Sequence, residues 1–202
     1  MSAPMQVILA SQSPYRRAQL TQFGLNFHSH TPRVDEEELK SQGPKDLPEL
    51  TRFLAEQKAR SLIFDFPTAL LLGSDQIVEF NGQRLDKPGD HAKAQAQLEV
   101  LSGHEHRLIT SLALLFGGRT LLYTDTTVVR LKKLSPALIH AYLELDTPFD
   151  CAGSYKIEKA GMGLIDEVRT QDASAIQGLP LLSLVRGLSE LGIALETLWQ
   201  PT

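Results

Sequence analysis

Gln6-Val7-Ile8-Leu9-Ala10-Ser11-Gln12-Ser13-Pro14-Tyr15-Arg16-Arg17 is the stretch on which the fold turns. Its opening apolar run is closed by Ser11-Gln12-Ser13-Pro14, the pattern of a buried strand entering a loop. Ser13 can cap a following helix, Pro14 fits its first position, Leu20 and Phe23 supply an inward face, and Gly24 ends it. Strand, polar loop and helix in that order aim backbone N–H groups and the positive helix end at one spot, which suits phosphate. Arg16 and Arg17 add forked donors that match phosphate oxygens. Taken alone, the same residues read equally as a capped helix carrying two solvated arginines.

Outward from this stretch, an acidic loop, Asp35-Glu36-Glu37-Glu38, precedes a helix predicted over Leu47 to Phe64, with Leu50, Phe53, Leu54, Leu62 and Ile63 at roughly helical spacing. A second buried strand is predicted over Ala69 to Val78, followed by Asn81-Gly82, a strong tight-turn signal. Asp90 caps a predicted helix through Leu101, stopped by Ser102-Gly103. From Arg107 to Leu131 two long strands flank Gly117-Gly118, and Ser135-Pro136 opens a helix with Leu138, Ile139, Tyr142 and Leu143 inward. A last helix is expected from Pro180 to Leu191. Strands and helices interleave without repeats, so the expected fold is α/β, a mixed sheet with flanking helices. Residues 1–202 are expected to form a single domain, with two lobes around a central cleft.

Bulk properties narrow the function. The chain has 202 residues, 42% hydrophobic and 22% charged, enough for one sizeable enzymatic domain and outside the disordered and coiled-coil ranges. A net charge of -4 does not favour nucleic acid or anionic lipid, so positive charge for an anionic ligand must be gathered locally. Met1-Ser2-Ala3-Pro4 lacks the basic start and apolar core of a secretory signal, and the single Cys151 cannot form an intramolecular disulfide, which fits a cytoplasmic location. The apolar runs are too short to span a membrane.

P-loop, Rossmann, H-E-x-x-H and paired C-x-x-C motifs are absent. His104 and His106 could ligate a metal, but two histidines beside a turn with no third ligand read more simply as loop residues. Asp75 closes a buried apolar run in Gly73-Ser74-Asp75-Gln76. An acid there is costly to desolvate unless paired, metal-bound or exposed, which makes it a candidate base or metal ligand or else an ordinary strand-end carboxylate. Lys58 and Lys87-Pro88 would not stand out alone.

Together these segments resemble the Maf nucleotide pyrophosphatases, in order and over nearly the whole chain: Leu-Ala-Ser-x-Ser-Pro with two arginines, Val34-Asp35-Glu36, Glu56 to Ala59, Gly-Ser-Asp75, Lys87-Pro88, Leu101-Ser102-Gly103 with His106, Asp150-Cys151-Ala152-Gly153-Ser154-Tyr155, and Gly178-Leu179-Pro180-Leu181. The resemblance implies a two-lobed α/β fold, a homodimer, a divalent metal (Mg²⁺ or Mn²⁺), and cleavage of a nucleoside triphosphate between its α and β phosphates. It implies that Asp75 accepts a proton from water and that Ser11, Arg16, Lys58 and Lys87, with Arg17 beside them, contact phosphate. Glu36 and Asp75 would be the metal ligands.

Three positions depart from the branch of the family that acts on thymidine and uridine triphosphates: Tyr15, Gln76 and Glu158. That combination resembles the branch that hydrolyses 7-methyl-GTP, an activity that would limit incorporation of modified nucleotides into nucleic acids. N7-methylation makes guanine cationic, so an aromatic face such as Tyr15 gains about 0.5–2 kcal/mol of attraction in a desolvated site. A carboxylate such as Glu158 can accept the guanine N1–H and N2–H pair. The rival readings are a pyrimidine triphosphate pyrophosphatase of the same family and a nucleotide-sensing interaction protein without turnover. Binding to nucleic acid is not expected, because no basic stripe is interleaved with aromatics.

Overall fold

The computed structural model of the protein describes residues 5–199; Met1–Pro4, read above for a signal sequence, lies outside them. Seven strands, β1 (Val7–Ala10), β2 (His28–His30), β3 (Leu70–Phe80), β4 (Gln83–Leu85), β5 (Glu105–Phe116), β6 (Arg119–Leu131) and β7 (Ile165–Arg169), form one mixed sheet. The order is β2-β1-β3-β5-β6-β7, with β4 paired to β3. β1 runs parallel to both β2 and β3, whereas β4 on β3 and β7 on β6 are antiparallel. The helices are α1 (Pro14–Gln22), α2 (Glu36–Gln42), α3 (Leu47–Arg60), α4 (His91–Leu101), α5 (Pro136–Asp146) and α6 (Leu181–Glu190). None is long and apolar enough to cross a membrane.

Two compact units emerge. The first comprises residues up to Gln76, Thr110–Asp125 and Asp172 onward. Its core obeys strand alternation. Val7, Leu9, Leu70, Leu72, Leu112 and Leu114 face one way and pack with Leu20 of α1 and Leu184 and Leu188 of α6. Ile8, Ala10, Leu71, Ala113 and Leu115 face the other way and pack with Ala55 and Ala59 of α3. The unit is therefore a sheet covered on both sides, which is why its strands read as continuous apolar runs.

The second unit, Ile77–Ile109 and Thr126–Gln171, builds its core from Leu98 and Leu101 of α4, Ile139 and Leu143 of α5, and Leu108, Ile109 and Val129 of the sheet. The predicted hairpin closes β3 to β4 with Phe80 paired to Gln83. Asn81 and Gly82 both take positive φ, 51° and 80°, the turn that matches strand twist and that glycine adopts without strain.

Four expectations need correction. The acidic segment is not a loop: Asp35 caps α2 by accepting from the Glu37 and Glu38 N–H groups, both at 3.0 Å, and the acids fill a first helical turn where the dipole favours them. α3 ends at Arg60 rather than Phe64, because the chain then tightens to bonds reaching only three residues back, Leu62 N–H to Ala59 O and Ile63 N–H to Arg60 O. Ile63 is accordingly 37% exposed. Leu138 is 41% exposed and lies off the buried stripe of α5, which is made of Ile139, Tyr142 and Leu143.

Candidate active site

Alternation along β3 sorts the residues at its middle. Leu71, Gly73 and Asp75 face α3, whereas Leu72, Ser74 and Gln76 face the opposite layer. On the first side α3 comes unusually close, since a Cβ on Gly73 would lie 2.0 Å from the Ala55 carbonyl oxygen and 2.9 Å from Ala59 N. Lys58 continues the buried stripe of α3 formed by Leu50, Thr51, Leu54 and Ala55, so its ammonium points inward.

An ammonium in that position needs anionic partners, because desolvating it alone costs several kcal/mol. It has two. Lys58 Nζ donates to Asp75 Oδ1 at 2.6 Å and lies 3.0 Å from Glu36 Oε1. The lysine and aspartate side chains are only 4% and 8% exposed, while Glu36 is 45% exposed. Desolvation pushes the Glu36 carboxyl up, but Lys58, helped by Lys40 and Arg16, outweighs it and holds the group below its ordinary range.

On the other side of β3, the Gly178 carbonyl accepts from Ser74 Oγ at 2.8 Å and from Arg16 Nε at 2.8 Å. Gly178 has φ 96°, open to glycine, and a Cβ there would press on Arg16 Nε at 3.3 Å. Arg16 is thus moored at the start of α1, half-buried. Burial lowers its guanidinium pKa, and the fields of Asp75 and Glu36 oppose that, so all three charges share one neighbourhood. Guanidinium stays charged regardless. Two carboxylates with Lys58 and Arg16 sum to zero charge.

The strand-to-helix turn is built as expected. Ser13 Oγ caps α1 by accepting from Arg16 N–H at 3.4 Å, and Ser11 Oγ accepts from Ser13 N–H at 3.1 Å. Ser11 is buried, Tyr15 is half-buried, and Arg17 is exposed on α1. Gln76 is engaged within the unit: its Nε2 lies within reach of the Thr110 hydroxyl (2.8 Å) and of two backbone carbonyls, Ala175 O (3.0 Å) and Ile176 O (3.2 Å), holding the turn over Ala173–Gln177.

On the second unit, Lys87 follows β4 and is exposed, and Glu158 is exposed in the loop before Ala160. His106 is no metal ligand of the kind considered above, because its Nε2 pairs with Tyr155 Oη at 2.8 Å and it is only 2% exposed; His104 packs its ring on Phe80 instead. Burial pushes the His106 imidazole down to about 4, against the pull of Glu79. Between pH 6.5 and about 4 the unfolded chain therefore binds a proton that the folded chain refuses, so stability falls as pH falls through that window, by about 3 kcal/mol. Replacing His106 with Gln removes this share of the acid sensitivity. Urea unfolding of both proteins at pH 7 and pH 4.5 measures it; equal pH dependence in the two would refute the assignment.

Sequence reasoning missed the supports. Asp172, only 4% exposed, accepts from Ser174 N–H at 3.0 Å and from Leu182 N–H at 2.8 Å, fixing the 173–177 turn to the start of α6. Gln19 Nε2 donates to Ser174 O at 2.7 Å, tying α1 to the same turn. Gln19 precedes the inward-facing Leu20, but nothing local in the sequence marks it as buried.

The first unit thus holds a carboxylate–lysine–carboxylate centre, with Arg16 moored on Gly178 and within the field of both acids. A model of the family described as Maf-like protein matches residues 6–191. The chain is 42% identical to a 7-methyl-GTP pyrophosphatase of Xanthomonas oryzae pv. oryzae, over 94% of this chain and 98% of that one. It is 42% identical to a 7-methyl-GTP pyrophosphatase of Bdellovibrio bacteriovorus, over 89% of this chain and 93% of that one. A third relative of that name, from Bordetella pertussis, is 37% identical over 94% of both. The chain belongs to the Maf-like family.

Proposed function

We propose that the protein hydrolyses 7-methyl-GTP between its α and β phosphates, releasing 7-methyl-GMP and pyrophosphate, and so limits the entry of a modified nucleotide into nucleic acids. The observation that carries the reading is Lys58 held between Asp75 and Glu36, with Arg16 in their field. Asp75 accepts the proton of the attacking water. Ser11, Arg16, Arg17, Lys58 and Lys87 hold the phosphates, the last assigned from the Lys87-Pro88 segment that resembles the family.

The donor set also fits a divalent cation. Asp75 and Glu36 offer hard carboxylate oxygens of the kind Mg²⁺ and Mn²⁺ take, and Glu36 is open enough for an ion to reach. The neutral cluster cannot balance a triphosphate of about four negative charges unaided, and a bound divalent cation would neutralise part of that charge and polarise the phosphorus. The reading further places the protein in the cytoplasm as a homodimer.

Tyr15 and Glu158 are proposed to read the methylated base, and Gln76 to set the 173–177 turn. Pyrophosphate release across a panel of 7-methyl-GTP, GTP, dTTP and UTP with Mg²⁺ is the direct test. The methylated guanine should lead the panel. In Glu158→Gln its advantage should shrink at least about tenfold in kcat/KM, since a neutral amide no longer complements the cationic ring. A panel led by dTTP and UTP would favour the pyrimidine reading; selectivity unchanged in the variant would sink the base-edge argument.

A further inference from the structure

The second unit carries another set of ligand-type side chains, unrelated to Glu36 and Asp75. We propose that His91, His140 and Glu144 bind a divalent transition metal of the Zn²⁺ class, clasping the first turn of α4 to α5. One ligand atom from each of the three lies within 4.8 Å of the others, and among the described residues this is the group of three or more that converges so. His140 and Glu144 are one turn apart on α5 and share its face, while His91 is the first residue of α4.

The detail that separates a metal site from a chance cluster is the His91 ring. Its Nε2 is shielded from solvent and makes no hydrogen bond. Glu144 Oε1 lies 3.5 Å from it, too long for an N–H···O bond, whose usual length is about 2.9–3.0 Å. That separation is close to the roughly 3.3 Å between two ligands of a tetrahedral ion with bonds of about 2.0–2.1 Å. The nitrogen thus sits where it would satisfy an ion better than it satisfies the carboxylate. Ring contacts with His140 and Phe149, each at 6.1 Å between centroids, restrict how far His91 can turn away.

Two imidazoles and one carboxylate select Zn²⁺ and its neighbours over Mg²⁺ and Ca²⁺, which demand oxygen shells. Three protein ligands leave a fourth position for water. His140 and Glu144 are exposed, which gives the ion a way in. The positive end of α4 opposes a cation at His91, and the Glu144 carboxylate offsets it.

The test uses the untagged full chain, stripped of metal by chelation and kept in excess Mg²⁺ so that hard oxygen sites are filled. Calorimetric titration with ZnCl₂ should give one ion per chain. His140→Ala, at an exposed position, should weaken that binding about 100-fold or more, and Glu144→Gln by a smaller factor. Loading with Co²⁺ should give the intense visible bands of a four-coordinate site, and these should vanish in His91→Ala and in His140→Ala. Circular dichroism and Mg²⁺-supported pyrophosphate release should be the same in His140→Ala as in the parent, which separates this site from the proposed catalytic one. No Zn²⁺ uptake by the parent, or uptake with unaltered affinity in both histidine variants, overturns the proposal; the second result would move the ion to other imidazoles such as His28 and His30.

Discussion

Asp75→Asn should lower pyrophosphate release by at least about 10²-fold with the fold intact. Asparagine keeps the shape and removes the proton acceptor. Lys58 takes Oδ1 of Asp75 at 2.6 Å, which leaves Oδ2 as the oxygen assigned to water. The substitution does not strand the buried ammonium, since Glu36 Oε1 remains 3.0 Å away, so loss of rate is expected without collapse of the protein. Lys58→Met reverses that balance: two carboxylates lose their cation at once, and removing one member of a buried pair typically costs about 3–5 kcal/mol. A KM-against-kcat split separates the roles, because Asp75→Asn should act on kcat while a phosphate contact such as Lys87 acts mainly on KM. Purified, folded Asp75→Asn turning over at the parental rate would remove Asp75 from the mechanism.

Much of this arrangement was legible in the residues, and the reasons are local. Ser13-Pro14 specified the start of α1, Asn81-Gly82 the hairpin, and Leu70-Leu71-Leu72 a strand buried on both faces, because each signal acts within a few residues. β2 and β7 were not legible: His28-Ser29-His30 and Ile165–Arg169 are largely polar, and what makes them strands is backbone pairing to β1 and to β6. Lys58 was half-legible. A lysine reads as solvated by type, but it falls four residues after Leu54 on the inward stripe, and spacing decides its fate over type. The mooring of Arg16 and Ser74 on Gly178 joins residues 162 and 104 positions apart, and no local pattern reports such a contact.

Gly73→Ala should be the most damaging small change in the first unit. The added methyl would meet the Ala55 carbonyl oxygen at 2.0 Å and the Ala59 nitrogen and Cβ at 2.9 and 3.0 Å. Two of these are helix backbone, which cannot swing aside as a flexible side chain does, so α3 itself must lift from the sheet. Overpacking of this kind costs about 3 kcal/mol. The functional cost is larger, because Ala55 and Ala59 flank Lys58: a helix moved outward by about 1 Å stretches the Lys58–Asp75 contact, and misplacement on that scale can cost about 10²-fold in rate. Gly163 is the matched control, since a Cβ there meets nothing within 4 Å, and Gly163→Ala should change neither stability nor turnover. Thermal unfolding and pyrophosphate release on both variants decide the matter. If Gly73→Ala unfolds with its parent and keeps the parental rate, α3 is not pinned to β3 at Gly73, and the packing that delivers Lys58 to Asp75 must be sought elsewhere.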